Sequence, residues 1–363
     1  MNSPQELHSL IQALRAWQGR RFAGGAALAT ITRTQGSTFR RTGTSMLVLG
    51  DGAVVCALAG GCPQRDIVQR ALEVIASGIA QRIGYNAESG LDVLMEMGCG
   101  GELEVLIEPL LDAAAIAHLD ALETSLAARQ PAWMASVFSP GAPGQPRRSV
   151  WNTQGLLFDG IADPVLLQAI QTHPVTPEAA QRPRLLQLTA SSGAVEVLLE
   201  PLLPPLSLVI VGSGAGAQAL APLAHGLGWQ VTLVEQDAAR LTPHASPILR
   251  TLCAAPTTLT QKMTLDRYTA AVLMTHNLEQ DIAYLRALKA EPLAYLGVIG
   301  SRERVASIVA AIEPAPAQLY APAGLDIGSE TPHEIALAIT AEIQAASHGR
   351  SGRSLRQSHG PIH

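Results

Sequence analysis

The stretch LVIVGSGAGAQ, residues 208–218, decides the fold of the C-terminal part of the chain. An apolar run that predicts a buried strand passes directly into Gly212, Gly214 and Ala217, which match the GxGxxG/A pattern. The first glycine permits a tight turn, the second lets a pyrophosphate approach the main chain, and the small third residue lets the helix pack closely. This stretch therefore predicts a Rossmann-like domain with a parallel sheet.

The following sequence alternates strands and helices, as in a parallel α/β sheet. We predict strands over 207–211, 230–235, 270–275 and 293–299. We predict helices over 215–227, 278–289, 301–313 and 332–346. Thr331 and Glu334 form a capping box before the last helix, with Pro332 in its first turn. We expect the Rossmann-like domain to span 206–347, followed by a flexible tail at 348–363.

Candidate ligand-binding residues of this domain follow its strands, where open α/β sheets bind their ligands. Glu235 lies about twenty residues past the glycines and suits the ribose hydroxyls of NAD(P) or another nucleotide. Ser301 and Arg302 open a helix and could bind phosphate, although a structural N-cap beside a surface arginine has the same pattern. His276 could carry a proton or make a purely structural hydrogen bond.

Two cysteines in glycine-rich loops give the N-terminal part its most distinctive chemistry. The two loops contain Gly60, Gly61 and Cys62, and Cys99, Gly100 and Gly101. We place a helix from Pro63, so that Cys62 lies at its start, where unpaired amides stabilise a thiolate. Glycines beside Cys99 permit close approach of a bulky ligand or simply form turns. Two cysteines are an incomplete zinc set. Cys56 and Cys253 are expected to be small core residues.

A short loop between two predicted strands carries positive charge and hydroxyl groups. It contains Arg33, Gly36, Ser37, Arg40 and Arg41. Guanidinium groups in such a loop could hold a phosphate, and Ser37 and Arg40 are our candidates for this role. A solvated hairpin is the structural alternative.

An internal repeat organises the N-terminal part. GELEVLIEPLL at 101–111 returns as GAVEVLLEPLL at 193–203, with eight of eleven positions identical and an offset of 92 residues. We interpret residues 125–203 as a degenerate second copy. This copy contains no cysteine, which suggests that the first copy carries the chemistry. We therefore expect an α/β domain with an internal duplication over 1–205.

Composition and charge exclude several classes of protein. The 363 residues carry a formal net charge of −5, which gives no reason to expect nucleic-acid binding. No apolar run approaches ~18 residues, so we expect no membrane span. Without a recognisable secretory signal, the four cysteines are expected to be reduced thiols of a cytoplasmic protein. Ser-His-Asp, HExxH and GxxxxGKS/T signatures of common hydrolases are missing from the sequence.

Several motifs together resemble the xanthine dehydrogenase accessory factor family of the XdhC/CoxI type. They are QGSTFRRTG at 35–43, AGGCPQRDIV at 59–68, GCGGELEVLIEP at 98–109, and the later LVIVGSGAGA, MTHN, YLGVIGSRERV and GLDIGSETPHEIALAITAEI. The resemblance implies a chaperone that binds molybdenum cofactor, protects it during sulfuration and inserts it into a molybdenum hydroxylase. It implies two partners, the cofactor-binding subunit of that hydroxylase and a cysteine desulfurase. By motif match, Cys62 and Cys99 would lie nearest the cofactor.

The sequence departs from the family pattern at two positions, and two alternatives stay open. Phe39 stands where family members commonly have proline, and Gln64 where they have an acidic residue, which puts any role of that carboxylate in doubt. One alternative is an NAD(P)-dependent oxidoreductase, favoured by the glycine pattern and Glu235. The other is a binding module whose Rossmann domain serves for dimerisation, and we expect a homodimer.

Overall fold

The computed structural model describes residues 1–86, 101–139, 145–173, 182–191, 193–241 and 249–357. The chain divides into two compact units, Met1–Pro204 and Pro205–His363. Among the helices in these ranges, none is both long and apolar enough to cross a membrane.

The first unit contains two five-stranded antiparallel sheets and four described helices. The first sheet has the order β3-β2-β1-β5-β4 and consists of β1 (Ala26–Gln35), β2 (Ser45–Leu49), β3 (Val54–Val55), β4 (Gln81–Tyr85) and β5 (Glu102–Leu110). The second has the order β8-β7-β6-β10-β9 and consists of β6 (Ala132–Phe138), β7 (Arg147–Asn152), β8 (Gly155–Asp159), β9 (Arg184–Ala190) and β10 (Gly193–Leu202). The helices are α1 (Pro4–Gly19), α2 (Gly61–Ser77), α3 (Leu119–Ala127) and α4 (Pro164–Gln171).

The two sheets have the same strand order, as an internal duplication requires. Leu110 pairs with Ala26 in the first sheet, and Leu202, which lies 92 residues after Leu110, pairs with Ala132 in the second. The copies differ in the pairing of their equivalent strands β1 and β6. The pairing of β1 with β5 shifts register at Thr32, whereas the pairing of β6 with β10 continues without interruption. A β-bulge in the pairing of β1 with β5 therefore has no counterpart in the pairing of β6 with β10.

Helix α2 packs on the first sheet through one apolar face. Ile67, Ala71 and Val74 are fully buried against β1, β2 and β5. The helix ends at Gly78, whose φ of +68° lies in the left-handed region and whose N–H donates to the carbonyl of Val74. Ile79 is 67% exposed because the helix has already ended.

The second unit is built on one six-stranded parallel sheet of order β13-β12-β11-β14-β15-β16. Its strands are β11 (Ser207–Val211), β12 (Gln230–Glu235), β13 (Arg250–Cys253), β14 (Thr269–Leu273), β15 (Tyr295–Val298) and β16 (Leu319–Tyr320). Its described α-helices are α5 (Ala215–Gly226), α6 (Pro256–Lys262), α7 (Leu278–Leu288), α8 (Arg302–Ala310) and α9 (Pro332–Ser347). The prediction of a Rossmann-like parallel sheet is thus confirmed.

The central strand β11 shows why the sequence here is a continuous apolar run. Leu208 and Ile210 are buried in one hydrophobic cluster, and Val209 and Val211 are buried in another. Because helices cover both faces of the sheet, the strand needs an apolar side chain at every position. The capping box of the last helix is also confirmed, since Thr331 and Glu334 form both of its hydrogen bonds.

Three short elements of the second unit escaped the sequence analysis. They are β13, α6 and β16, and they lack the apolar periodicity on which the prediction relied. Because β13 is an edge strand with a mostly exposed surface, Cys253 is exposed, and its expected place in the core is wrong. Cys56 is half-buried with a φ of +66°, just after β3, instead of lying inside a strand.

Candidate cofactor-binding site

The QGST loop (residues 35–38) and Gly101, which directly precedes β5, lie at the same end of the first sheet. Thr30 of β1 pairs with Ser45 of β2, so the QGST segment between these strands crosses this end of the sheet. Tyr85, the last residue of β4, pairs with Leu103 of β5, which follows Gly101 by two residues. β1 ends where β5 begins, and the same end therefore carries the QGST loop and Gly101.

Gly101 is in direct contact with the QGST loop. A Cβ atom at Gly101 would lie 2.0 Å from the carbonyl oxygen of Ser37 and 2.8 Å from Cγ2 of Thr38. Any larger residue would have to displace main chain at this point. The last glycine of the second cysteine motif thus has a packing role: it lets the strand β5 begin directly against the loop that contains Ser37.

The start of α2 lies at this end as well. β3 runs antiparallel to β2, so the chain that leaves β3 after Val55 heads back toward the beginning of β2. Helix α2 begins at Gly61, two residues earlier than the sequence predicted, which places Cys62 in its first turn. One turn later, Asp66 accepts a hydrogen bond of 2.7 Å from the hydroxyl of Tyr85, at the end of β4.

The helix start is formed by glycines that leave its first amides without a capping side chain. Gly60 has an extended backbone, with φ −107° and ψ 169°, and Gly61 has a φ of +62°, in the left-handed region. An anion or a thiolate is stabilised at such a helix end. The structure describes the main chain of Cys62 but not its side chain, and Cys99 and Gly100 lie outside the described residues.

The second copy closes the corresponding position with a carboxylate. Asp163 precedes α4 and accepts a hydrogen bond from the N–H of Leu166 at 3.0 Å. Its other oxygen accepts from the hydroxyl of Ser191 at 3.1 Å. The amides at the start of α4 therefore already face a negative charge. The first copy carries glycines and Cys62 where the second copy carries its own anion.

Gln64 has a role that the sequence analysis missed. Its side-chain oxygen accepts hydrogen bonds of 3.1 Å from the N–H groups of Leu58 and Ala59, and its amide nitrogen contacts Sδ of Met46 at 2.8 Å. Gln64 thus holds the loop that leads into α2. A carboxylate, which family members commonly have here, could accept the same two hydrogen bonds but could not donate to a sulfur atom.

Arg40 is held by an acidic partner from α1. Its Nη2 atom lies 2.6 Å from both carboxylate oxygens of Glu6. Burial alone would raise the pKa of Glu6, but the hydrogen bonds from Arg40 and Ser3 hold it below its ordinary value.

Burial and the nearby Glu6 raise the pKa of the Cys56 thiol to about 11, so this cysteine stays protonated at neutral pH.

The glycine turn of the second unit has the geometry that the GxGxxG/A pattern predicts. Gly212 has a φ of +112°, and a Cβ atom there would lie 2.5 Å from the carbonyl oxygen of Met274. Gly214 directly precedes α5 with an extended backbone, and Ala217 is buried at the point where this helix packs. These three positions therefore accept only small residues.

Glu235 lies at the end of β12 beside this turn but already has a partner. It is 5% exposed, and its Oε1 atom accepts a hydrogen bond of 2.7 Å from the hydroxyl of Ser213.

His276 has a φ of +60°, and a Cβ atom at Gly214 would lie 3.3 Å from its Nε2 atom. The imidazole ring of His276 thus stands over the turn where a pyrophosphate would approach.

Ser301 and Arg302 show the structural alternative that the sequence left open. The hydroxyl of Ser301 accepts a hydrogen bond of 3.3 Å from the N–H of Arg304 and so caps α8, which Arg302 begins. Arg304, which the sequence analysis did not single out, forms a 2.6 Å ion pair with the buried Asp281. Within the described part of the chain, no group of three His, Cys, Asp or Glu side chains could hold a metal ion.

The fold defines a two-unit α/β protein with a C-terminal Rossmann domain and an N-terminal duplicated β-rich unit. Residues 208–343 match the model of the XdhC Rossmann domain, and residues 21–86 match that of the XdhC and CoxI family. The chain belongs to the XdhC and CoxI family.

Several known proteins are similar over most of the chain. A protein from Bacillus subtilis described as a probable xanthine dehydrogenase subunit is 28% identical over 93% of this chain and 96% of its own length. The molybdenum cofactor insertion chaperone PaoD from Escherichia coli is 24% identical over 88% of this chain and 82% of its own length. A crystal structure described as a xanthine dehydrogenase from Bacillus halodurans covers 96% of this chain and 97% of its own, with a TM-score of 0.77 and 23% identity, and shows the same fold.

Proposed function

We propose that the protein binds molybdenum cofactor at the end of the first sheet that carries the QGST loop and the start of α2. We propose further that it inserts the cofactor into a xanthine dehydrogenase-type molybdenum hydroxylase. One observation carries the proposal: the QGST loop, Gly101 and the uncapped start of α2 with Cys62 lie at one end of one sheet. The similarity to PaoD, a molybdenum cofactor insertion chaperone, supports the same function.

The chemistry of this end of the sheet suits the two ends of the cofactor. A thiolate is a soft ligand that can approach a metal-dithiolene group, and the first amides of α2 favour that thiolate at Cys62. The loop around Ser37 offers hydroxyl and main-chain groups to the polar remainder of the cofactor. Because Arg40 is neutralised by Glu6, its part in binding would be to hold the loop in place.

The proposal includes partners and a cellular setting. The protein would hold the cofactor while a cysteine desulfurase supplies sulfur for the terminal sulfido ligand, and would then contact the cofactor-binding subunit of the hydroxylase. We expect it to act in the cytoplasm, as a homodimer, and light scattering measures that stoichiometry directly. It would act as a chaperone and would have no turnover of its own.

The test is retention of the cofactor by the purified full-length protein. Protein and molybdenum cofactor are mixed anaerobically and separated by gel filtration, and molybdenum and pterin are assayed in the protein peak. We expect co-elution with the wild type and its loss in Cys62→Ala. Cys253→Ala is the matched control, since Cys253 is an exposed cysteine of the other unit. No retention by the wild type, or full retention by folded Cys62→Ala, contradicts the proposal.

A nucleotide bound by the Rossmann unit is a second candidate. It is supported by the left-handed backbone of Gly212 and by the carboxylate of Glu235 at the neighbouring strand end. An NAD(P)-dependent oxidoreductase would use these groups together with His276. Titration with NADH tests this function separately from retention of the molybdenum cofactor.

A further inference from the structure

A cleft of about 500 Å³ lies between the two copies of the first unit. The first copy contributes Arg33, Thr34 and Thr42, and the second contributes Pro183, Leu185 and Gln187. This volume is within the usual range for small-molecule sites in proteins. The cleft involves residues of β9, an element of the copy without cysteines, to which the proposed function assigns no role.

Two departures from regular structure lie at or next to the first-copy wall of this cleft. The β-bulge at Thr32 is present in β1, although the equivalent strand β6 has none, and bulges redirect the side chains that follow them. Gly43, with a φ of +78°, allows the second copy to approach closely, since a Cβ atom there would lie 2.8 Å from Cβ of Pro183. Gly43 ends the QGSTFRRTG motif, so this motif shapes the cleft as well as the loop.

The guanidinium group of Arg33 is fixed at the wall while remaining half exposed. Its Nη2 atom lies 3.1 Å from Oε1 of Glu196, a buried carboxylate of the second copy that also pairs with Arg82. The side chain of Arg33 is nevertheless 53% exposed. Because a guanidinium has five N–H donors, a group held through one nitrogen can still bind an anionic ligand.

The remaining lining side chains suit a flat heterocycle with polar edges. Gln187 offers both a donor and an acceptor, and the hydroxyls of Thr34 and Thr42 lie 3.4 Å apart. Pro183 and Leu185 supply an apolar surface on which a ring can lie. A phosphorylated pterin has such a ring, such edges and an anionic end that Arg33 could bind.

We propose that this cleft binds the pterin and phosphate end of the molybdenum cofactor, so that the second copy forms one wall of the binding site. Thr34 and Thr42, which line the cleft, flank the loop that contains Ser37, so the cleft borders this loop. This inference rests on the proposed function. It assigns the cysteine-free copy a role in ligand specificity beyond that of a scaffold.

The experiment compares two probes, the complete molybdenum cofactor and its metal-free pterin, in the gel-filtration assay with full-length protein. Leu185→Trp fills the cleft with a larger side chain. Gln187→Leu removes the side-chain amide of Gln187, and because this residue is exposed, the variant is expected to fold. We expect Gln187→Leu to weaken retention of both probes about tenfold and Leu185→Trp to weaken it further. The control Leu156→Trp, at an exposed site of β8, should stay within about twofold of wild type.

The outcomes separate this inference from the proposed function. Cys62→Ala should lower retention of the complete cofactor to the level of the metal-free pterin and leave retention of the pterin itself unchanged, because a pterin in the cleft does not need the thiol. If wild type retains the cofactor through Cys62 while Gln187→Leu and folded Leu185→Trp match it, the cleft is not the site, and the proposed function stands. If wild type retains neither probe, the proposed function itself is overturned.

Discussion

Arg148 of β7 and Glu108 of β5 form a buried ion pair that joins the two copies of the first unit. Nη1 of Arg148 lies 3.1 Å from Oε2 of Glu108, and Nη2 contacts the second carboxylate oxygen. The side chains are only 8% and 4% exposed. Each copy therefore contributes one charge to a pair that neither copy could satisfy alone.

Loss of this arginine should destabilise the first unit strongly. Arg148→Met leaves the charge of Glu108 buried without its partner, and we expect the free energy of unfolding to fall by about 3–5 kcal/mol. Urea denaturation followed by circular dichroism measures the change. Arg15→Met, which breaks a more exposed ion pair with Asp120 and Glu123, should cost at most about 1 kcal/mol. Equal effects of the two variants would contradict this interpretation of the interface.

Substitution of Gly101, the last glycine of the second cysteine motif, should damage the candidate site. In Gly101→Ala, the added Cβ must displace the main chain of Ser37, so we expect about 1–3 kcal/mol lower stability and weaker cofactor retention. Gly84→Ala is the control, because a Cβ at Gly84 of β4 meets no atom within 4 Å. Retention at the wild-type level in Gly101→Ala would show that the contact with Ser37 does not shape the binding site.

Glu200 should make the stability of the first unit depend on pH. Burial raises its pKa to about 7, with Glu108 adding to the effect and the Met1 ammonium and Arg148 opposing it. Between its ordinary pKa of 4.5 and about 7, the folded state keeps a proton that the unfolded state has lost. Stability should therefore fall as pH rises across this window, by about 3 kcal/mol at 1.36 kcal/mol per pKa unit.

The variant Glu200→Gln tests this dependence because its amide does not titrate. Unfolding free energies of wild type and variant are measured at several pH values from about 4.5 to about 7.5, which brackets the window set by the two pKa values. The difference between them should grow with pH in favour of the variant. A constant difference across the range would mean that Glu200 titrates near its ordinary pKa in the folded protein.

Ser213 should limit dinucleotide binding by the Rossmann unit. Its hydroxyl already donates to the buried carboxylate of Glu235, which the ribose hydroxyls of NADH would need as an acceptor. We expect fluorescence titration to show weaker NADH binding by wild type than by Ser213→Ala. Ser307→Ala, on the surface of α8, is the control. Wild-type binding as tight as in Ser213→Ala would indicate that Glu235 accepts both partners together.

Local sequence predicted most of the second unit and part of the first. Four of the six strands and four of the five described α-helices of the Rossmann domain followed from periodicity, glycine spacing and capping residues, which act over a few neighbouring residues. Edge elements such as β13 were missed, because a strand with a mostly exposed surface carries little apolar pattern. The cysteine-bearing start of α2 was anticipated from its glycines, with a two-residue error in its boundary.

The sequence by itself determined the family motifs, the Rossmann sheet and the repeat, because each depends on residue types at short or fixed spacing. Only the tertiary structure decided which charges meet: Arg40 with Glu6, Arg33 with Glu196, and Arg148 with Glu108. It also decided that Gly101 touches Ser37 and that the two copies enclose a cleft. These contacts join residues far apart in the chain, and strand register and packing select them over the many other pairings that the same side chains could make.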